Sequence, residues 1–304
     1  MIYQSIQLRK ENENITMSAY IRTPIDFSGP RPAVIICPGG GYGFTSPNES
    51  EPVALRFMTM GYHAFVLHYT VESNTPPEKL VWPEPLFDLA SAVIYIKEHA
   101  SEWNLDPEQL AVCGFSAGGH LAGMYACNWN KPVLSEHFSR PADDFRIRAA
   151  MLIYPVIDFC VGPSLVDWRM MWNCANPVEK FNRFMFGTAD PSEEDLREKS
   201  PAYLADADTV PCFIAHAQDD SLVKVEGSLH FAEALRTNNV PFEMHIFESG
   251  NHGFALADRS SAGFEFEINP EAAEWSRFAE RWLSKRLQIS FSPAEKAPFP
   301  LMTR

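Results

Sequence analysis

Basic residues are scarce in this chain: Lys and Arg number 25 against 39 Asp and Glu, a formal net charge of −14 over 304 residues. Nucleic acid and anionic membrane surfaces need a positive footprint, so neither is expected as a partner. No run of roughly 18 apolar residues occurs, so no membrane-spanning helix is expected. The opening MIYQSIQLRKENEN has no apolar core of the kind a secretory leader carries, which makes the cytoplasm the expected compartment. The six cysteines show no CxxC or other metal-like spacing, and no HExxH or HxxxH pair is present, so neither metal nor cofactor is expected. Cys37, Cys113 and Cys212 fall in or beside apolar runs, where a free thiol packs as a small hydrophobe. No Gly/Ser-rich, Pro-rich or charged linker divides the chain, so residues 1–304 are read as one domain. The composition, 46% hydrophobic and 21% charged, is that of an ordinary globular protein with a large core.

What is present alternates. IYQSIQL and ITMSAYIRT alternate apolar and polar residues across a polar turn, the pattern of an antiparallel hairpin. From residue 31 onward, short apolar runs (RPAVIIC, HAFVLHYTV, QLAVCGF, IRAAMLIYPVI, VPCFIAHA, PFEMHIFE) are separated by helical periods. Leu86, Leu89, Ala90, Val93 and Ile96 mark one amphipathic helix, and EAAEWSRFAERWLSKRL another that closes the fold. Alternating strand and helix call for a mostly parallel sheet with helices on both faces, the hairpin lying at one edge. Residues 159–200 break the rhythm with aromatics and Met but no clean strand, and are expected to form a cap or lid insertion.

In such a sheet, functional groups gather beyond the carboxyl ends of the strands. Gly114-Phe115-Ser116-Ala117-Gly118 sits at one of these ends, between a buried strand and a helix. Glycines flanking a serine there suit a tight turn that holds the hydroxyl clear of the backbone. A serine hydroxyl needs a base. His252, in the Gly-flanked loop after FEMHIFE, is the candidate; His216, at the end of CFIAH, is given a supporting role at most. The imidazole needs a carboxylate in turn. HAQDDSLVKV offers two, of which Asp219 is preferred as the first past the strand, leaving Asp220 to cap a helix or bind backbone. CPGGGYGF supplies free amides for an oxyanion hole, with Ala117 N–H as a further donor. The glycines fit neither a P-loop nor a dinucleotide fingerprint.

These motifs together resemble the α/β-hydrolase esterases of the acetylesterase and acetylxylan-esterase-like group, which are related to hormone-sensitive-lipase-like and prolyl-oligopeptidase-like hydrolases. The resemblance runs from about residue 30 to 285 and rests on CPGGGYGF, GFSAGGHLA, HAQDDSLVKVEGSLHFAEAL and FESGNHGF. It implies an α/β-hydrolase fold, Ser116 as nucleophile, Asp219 as acid partner, His252 as base, and oxyanion donors from Gly40, Gly41 and Ala117. Pro38 stands where the lipase-type relatives have His, which leaves the choice among Gly39, Gly40 and Gly41 open. The implied substrates are small acyl esters, often acetyl groups on sugars or xylo-oligosaccharides.

Five residues are expected to border the substrate. Tyr42 and Phe44 flank the glycine loop, Tyr154 follows a strand end, and Trp168 and Trp172 lie in the insertion. With Phe181, Phe184 and Phe186, the two tryptophans form either a sugar platform or a small hydrophobic core. The rival readings are an amide hydrolase of the formamidase or small-peptidase type, and a non-catalytic binder on the same scaffold. The expected partner is a small ester, with a homo-oligomer among the options for assembly.

Overall fold

The computed structural model describes residues 1–24, 29–161, 172 and 174–289. Eight strands form one sheet in the order β1-β2-β4-β3-β5-β6-β7-β8. β1 (Ile2–Arg9) and β2 (Asn12–Ile21) are the expected hairpin, and β2 also runs antiparallel to β4 (His63–His68). The remaining pairings, through β3 (Arg31–Cys37), β5 (Leu105–Phe115), β6 (Ala149–Ile153), β7 (Cys212–Ala217) and β8 (Phe242–Phe247), are parallel.

The continuous apolar runs are explained by burial on both faces. All seven residues of β3 are buried. Val34 and Ile36 point to a core shared with α1 (Glu51–Thr59) and the closing helix Trp275–Leu283. Ala33, Ile35 and Cys37 point to the opposite core, built with α2 (Glu84–Glu98) and α3 (Ser116–Asn128). Period-2 alternation thus feeds two cores, which is why it does not show as polar and apolar alternation in the sequence. The stretch read as one closing helix is interrupted at Glu274. Just past the break, the Trp275 indole N–H donates to Ala255 O at 2.9 Å and anchors the helix to the loop that follows β8. Between β6 and β7 the described residues form the helices Pro177–Phe186, Glu193–Glu198 and Pro201–Leu204 and no strand. No described helix is long and apolar enough to cross a membrane.

One buried histidine makes the fold sensitive to acid. His120, on α3, is fully buried; its Nε2 lies 2.7 Å from Lys199 O and its Nδ1 2.7 Å from the Tyr42 hydroxyl. The carbonyl can only accept, so the neutral ring donates from Nε2 and accepts the tyrosine proton at Nδ1. Burial disfavours the imidazolium and pulls its pKa down to about 4. The unfolded chain therefore binds an extra proton between about pH 6.5 and pH 4. Stability present above that window is lost as pH falls through it, by on the order of 3 kcal/mol from this group alone. Melting temperatures of wild type and His120→Gln, measured from pH 7.5 to 4.5, are expected to converge toward the acid end. A constant gap between the two would remove His120 as the cause.

Candidate active site

Five loops meet above the carboxyl ends of the parallel strands. β5 ends at Phe115 and α3 begins at Ser116, so the serine occupies the turn itself with φ +52°. That left-handed conformation is costly for a residue with a Cβ, and such strain persists only where the surroundings over-determine it. The close approach is supplied by two glycines. A Cβ at Gly118 would lie 2.0 Å from Cys37 O, and one at Gly114 2.0 Å from Gly118 O. No side chain fits either place, so helix, strand and the loop after β3 are pressed together beneath the hydroxyl.

His252, in the loop after β8, places Nε2 2.8 Å from Ser116 Oγ and Nδ1 2.7 Å from Asp220 Oδ2. Ser116 is 5% exposed and the His252 side chain 11%, so the pair is shielded yet reachable. The carboxylate is Asp220; the expectation of Asp219 is corrected. After Ala217 the chain turns outward, leaving Gln218 and Asp219 exposed, and returns inward at Asp220. Asp219 Oδ1 accepts from Gly250 N and Asn251 N, each at 3.0 Å, and so holds the backbone of the histidine loop. Asp220 performs both tasks that the sequence reading divided between the two residues. Its Oδ1 accepts from Leu222 N at 2.9 Å and Val223 N at 2.8 Å, while Oδ2 faces His252. Burial opposes its ionisation, but hydrogen bonds from His216 and His252 and the backbone amides outweigh this and hold the carboxyl well below the ordinary range.

His216 is the second imidazole on that carboxylate. Its Nε2 lies 3.1 Å from Asp220 Oδ2 and 3.0 Å from Val223 O, and its Nδ1 2.8 Å from Ser228 Oγ. Two acceptors at Nε2 assign the proton there, so His216 donates to Asp220 and keeps it turned toward His252.

The glycine loop after β3 lies over the serine. Gly39 N donates to Glu49 Oε2 at 2.5 Å and is therefore occupied. Among the described residues, Gly40 N and Gly41 N have no acceptor, and Ala117 N, in the first turn of α3, has no intrahelical one. These three amides are the ones left for an oxyanion.

The residues expected to border substrate divide differently. Phe44 is 39% exposed. Tyr42, Tyr154 and Trp172 are buried and support the site from behind, a correction to their expected contact with substrate. Each has an internal partner for its polar atom: Tyr42 on His120 as described, Tyr154 on Glu49 at 2.8 Å, and the Trp172 indole N–H on Gly41 O at 2.9 Å. Trp172 also packs against Phe181 and Phe184, both buried, so these aromatics form a core. Trp168 lies outside the described residues.

Comparison with known proteins identifies the family. The BD-FAE family profile matches residues 20–235. The chain belongs to the BD-FAE family of α/β-hydrolases. It is 34% identical over 258 residues to endo-1,4-beta-xylanase B of Butyrivibrio fibrisolvens, an alignment covering 82% of this chain but 37% of that protein. The chain spans about half or less of the curated relatives it matches first. Among solved structures, two hydrolases align over nearly their whole length. The carboxylesterase Cest-2923 of Lactobacillus plantarum superposes with a TM-score of 0.77 at 27% identity, covering 94% of this chain and 98% of that one. An acetyl ester-xyloside bifunctional hydrolase of Caldicellulosiruptor lactoaceticus gives 0.71 at 30% identity, covering 93% and 96%.

Proposed function

We propose that this BD-FAE protein is a serine carboxylesterase acting on small acyl esters, with acetyl groups on sugars or xylo-oligosaccharides as the leading substrate class. The carrying observation is the unbroken hydrogen-bonded run Ser116–His252–Asp220, set on a strained elbow beside amides without acceptors. In the reaction, Ser116 Oγ attacks the ester carbonyl carbon while His252 Nε2 takes its proton. The oxyanion is held by amides from Gly40, Gly41 and Ala117. The imidazolium, stabilised by Asp220, returns the proton to the leaving alcohol, and water then releases the acid from the acyl-enzyme. The acyl group would lie beside Phe44, with Tyr42 and Trp172 holding the loop behind it. The acetyl preference draws on the bifunctional acetyl ester-xyloside relative.

The test combines labelling with a substrate series. A fluorophosphonate probe is expected to modify the wild-type protein once, with the adduct mapped to Ser116 by peptide mass spectrometry. Acetate release from acetylated xylo-oligosaccharides is expected, and kcat/KM on p-nitrophenyl esters should fall by at least about tenfold from acetyl to octanoyl. Faster hydrolysis of a short amide than of the acetyl ester would replace the esterase reading by the amide hydrolase.

A further inference from the structure

One buried carboxylate near the serine takes no part in the triad. Glu49 closes the short turn Pro47–Glu49 that precedes α1 and is 3% exposed. Its two oxygens divide between two catalytic loops. Oε2 accepts from Gly39 N at 2.5 Å, and a Cβ on Gly39 would lie 2.8 Å from both that oxygen and Ser116 Cβ. Oε1 lies 2.8 Å from the Tyr154 hydroxyl, which itself accepts from Ala255 N at 2.9 Å. Ala255 has φ +47° and stands three residues past His252, whose ring meets the Tyr154 ring edge-on at 5.0 Å.

From this geometry we infer that Glu49 is a positioning residue for ester hydrolysis, bracing the oxyanion loop with one oxygen and the histidine loop, through Tyr154, with the other. The inference rests on the esterase reading of the site. Gly39 N–H, turned toward Glu49, is kept out of the cleft, and this fixes the peptide plane from which the amides of Gly40 and Gly41 follow. On the other arm the tyrosine oxygen already accepts from Ala255, so its own proton must go to Glu49. Tyr154 and Gly39 are therefore both donors to the carboxyl group, as is the Ser46 hydroxyl, and the ionised form accepts from all of them where an amide must turn its NH₂ toward one side. Burial pushes the Glu49 pKa up, and the bonds from Tyr154 and Gly39 oppose that rise. The other titratable groups facing it are Tyr69, Cys113 and His252. Tyr69 is already bound to Pro38 O at 2.5 Å and holds the residue before Gly39.

Glu49→Gln and Tyr154→Phe test the two arms separately on p-nitrophenyl acetate. Glu49→Gln is expected to lower kcat by about 10²-fold with KM within about threefold, because preorganised amides act on the transition state and little on the bound ester. Tyr154→Phe, which keeps the ring and removes only the hydroxyl, is expected to lower kcat by about tenfold, again with KM kept. The acid limb of kcat/KM should move to lower pH in Glu49→Gln, since a negative charge near the imidazolium is lost, and stay in place in Tyr154→Phe. Wild-type activity with either folded variant within threefold of it in kcat overturns the inference and leaves the esterase reading intact. A rise in KM at constant kcat overturns it too, by making Glu49 a binding residue. Should Glu49→Gln not fold, an unchanged kcat in Tyr154→Phe is sufficient to overturn it. Absence of wild-type ester turnover removes the esterase reading and the inference together.

Discussion

Ser116→Ala is expected to lower kcat on p-nitrophenyl acetate by about 10⁶-fold. The proposed catalytic route passes through its Oγ, which lies 2.8 Å from His252 Nε2, and alanine removes that atom while keeping the Cβ that packs near Gly39. The fold should survive, because φ +52° at this position is no harder for alanine than for serine. Residual catalysis of about 10³-fold over water is expected from the oxyanion amides and binding alone. Three measurements made together decide the matter: steady-state rate, the p-nitrophenol burst, and fluorophosphonate labelling. All three should vanish or nearly so, with a melting temperature close to wild type. A rate within tenfold of wild type would place the nucleophile elsewhere and dissolve the esterase reading.

The mostly parallel sheet with its edge hairpin, and the strand ends bearing Ser116 and His252, were legible because long-range topology here is coupled to local signals. The parallel strands other than the edge strand β8 are buried on both faces over much of their length and read as apolar runs. The serine elbow was legible for a related reason: Gly114 and Gly118 answer a steric demand that no other residue meets. The acid was not. Asp219 and Asp220 are chemically identical neighbours, and their difference is a direction, outward or inward, set by how the turn after β7 returns to the core. A weak signal did exist, since an Asp two and three residues before apolar Leu222 and Val223 favours the turn that Asp220 makes with their amides. Glu49 was missed because its burial and partners depend on other segments of the chain, whereas the partners of His216, which does support the site, are local: Asp220, Val223 and Ser228. Glu49 meets Gly39 and Tyr154, 10 and 105 residues distant. An acid ahead of a helix reads as an ordinary dipole-complementing charge. Tyr42 and Tyr154 were assigned to the substrate for lying beside the glycine loop and a strand end, and Trp172 for lying in the aromatic insertion, where a small hydrophobic core was the alternative; a tyrosine or tryptophan beside such a loop can equally hold it from below, and here each does.

The adjacent pair provides the sharpest comparison. Asp220→Asn is expected to lower kcat by about 10⁴-fold, and Asp219→Asn by no more than about tenfold. Asp220 is surrounded entirely by donors: His216 Nε2 and His252 Nδ1 at one oxygen, Leu222 N and Val223 N at the other. An asparagine amide must aim its NH₂ at one of these sides. Toward the backbone, it opposes two N–H groups that cannot move. Toward the imidazoles, it opposes the His216 proton and favours the His252 tautomer with its proton on Nε2, which cannot accept from Ser116. Either way a buried donor is left unmatched, so a stability loss of about 1–3 kcal/mol should accompany the loss of rate. Asp219 is exposed and uses a single oxygen for Gly250 N and Asn251 N. Asparagine retains that carbonyl oxygen, so the loop should keep its position and the rate most of its value. Parallel kcat and urea-denaturation measurements on the two variants check the assignment. A larger fall in Asp219→Asn than in Asp220→Asn would return the acid role to the exposed residue and require the turn after β7 to rearrange during turnover.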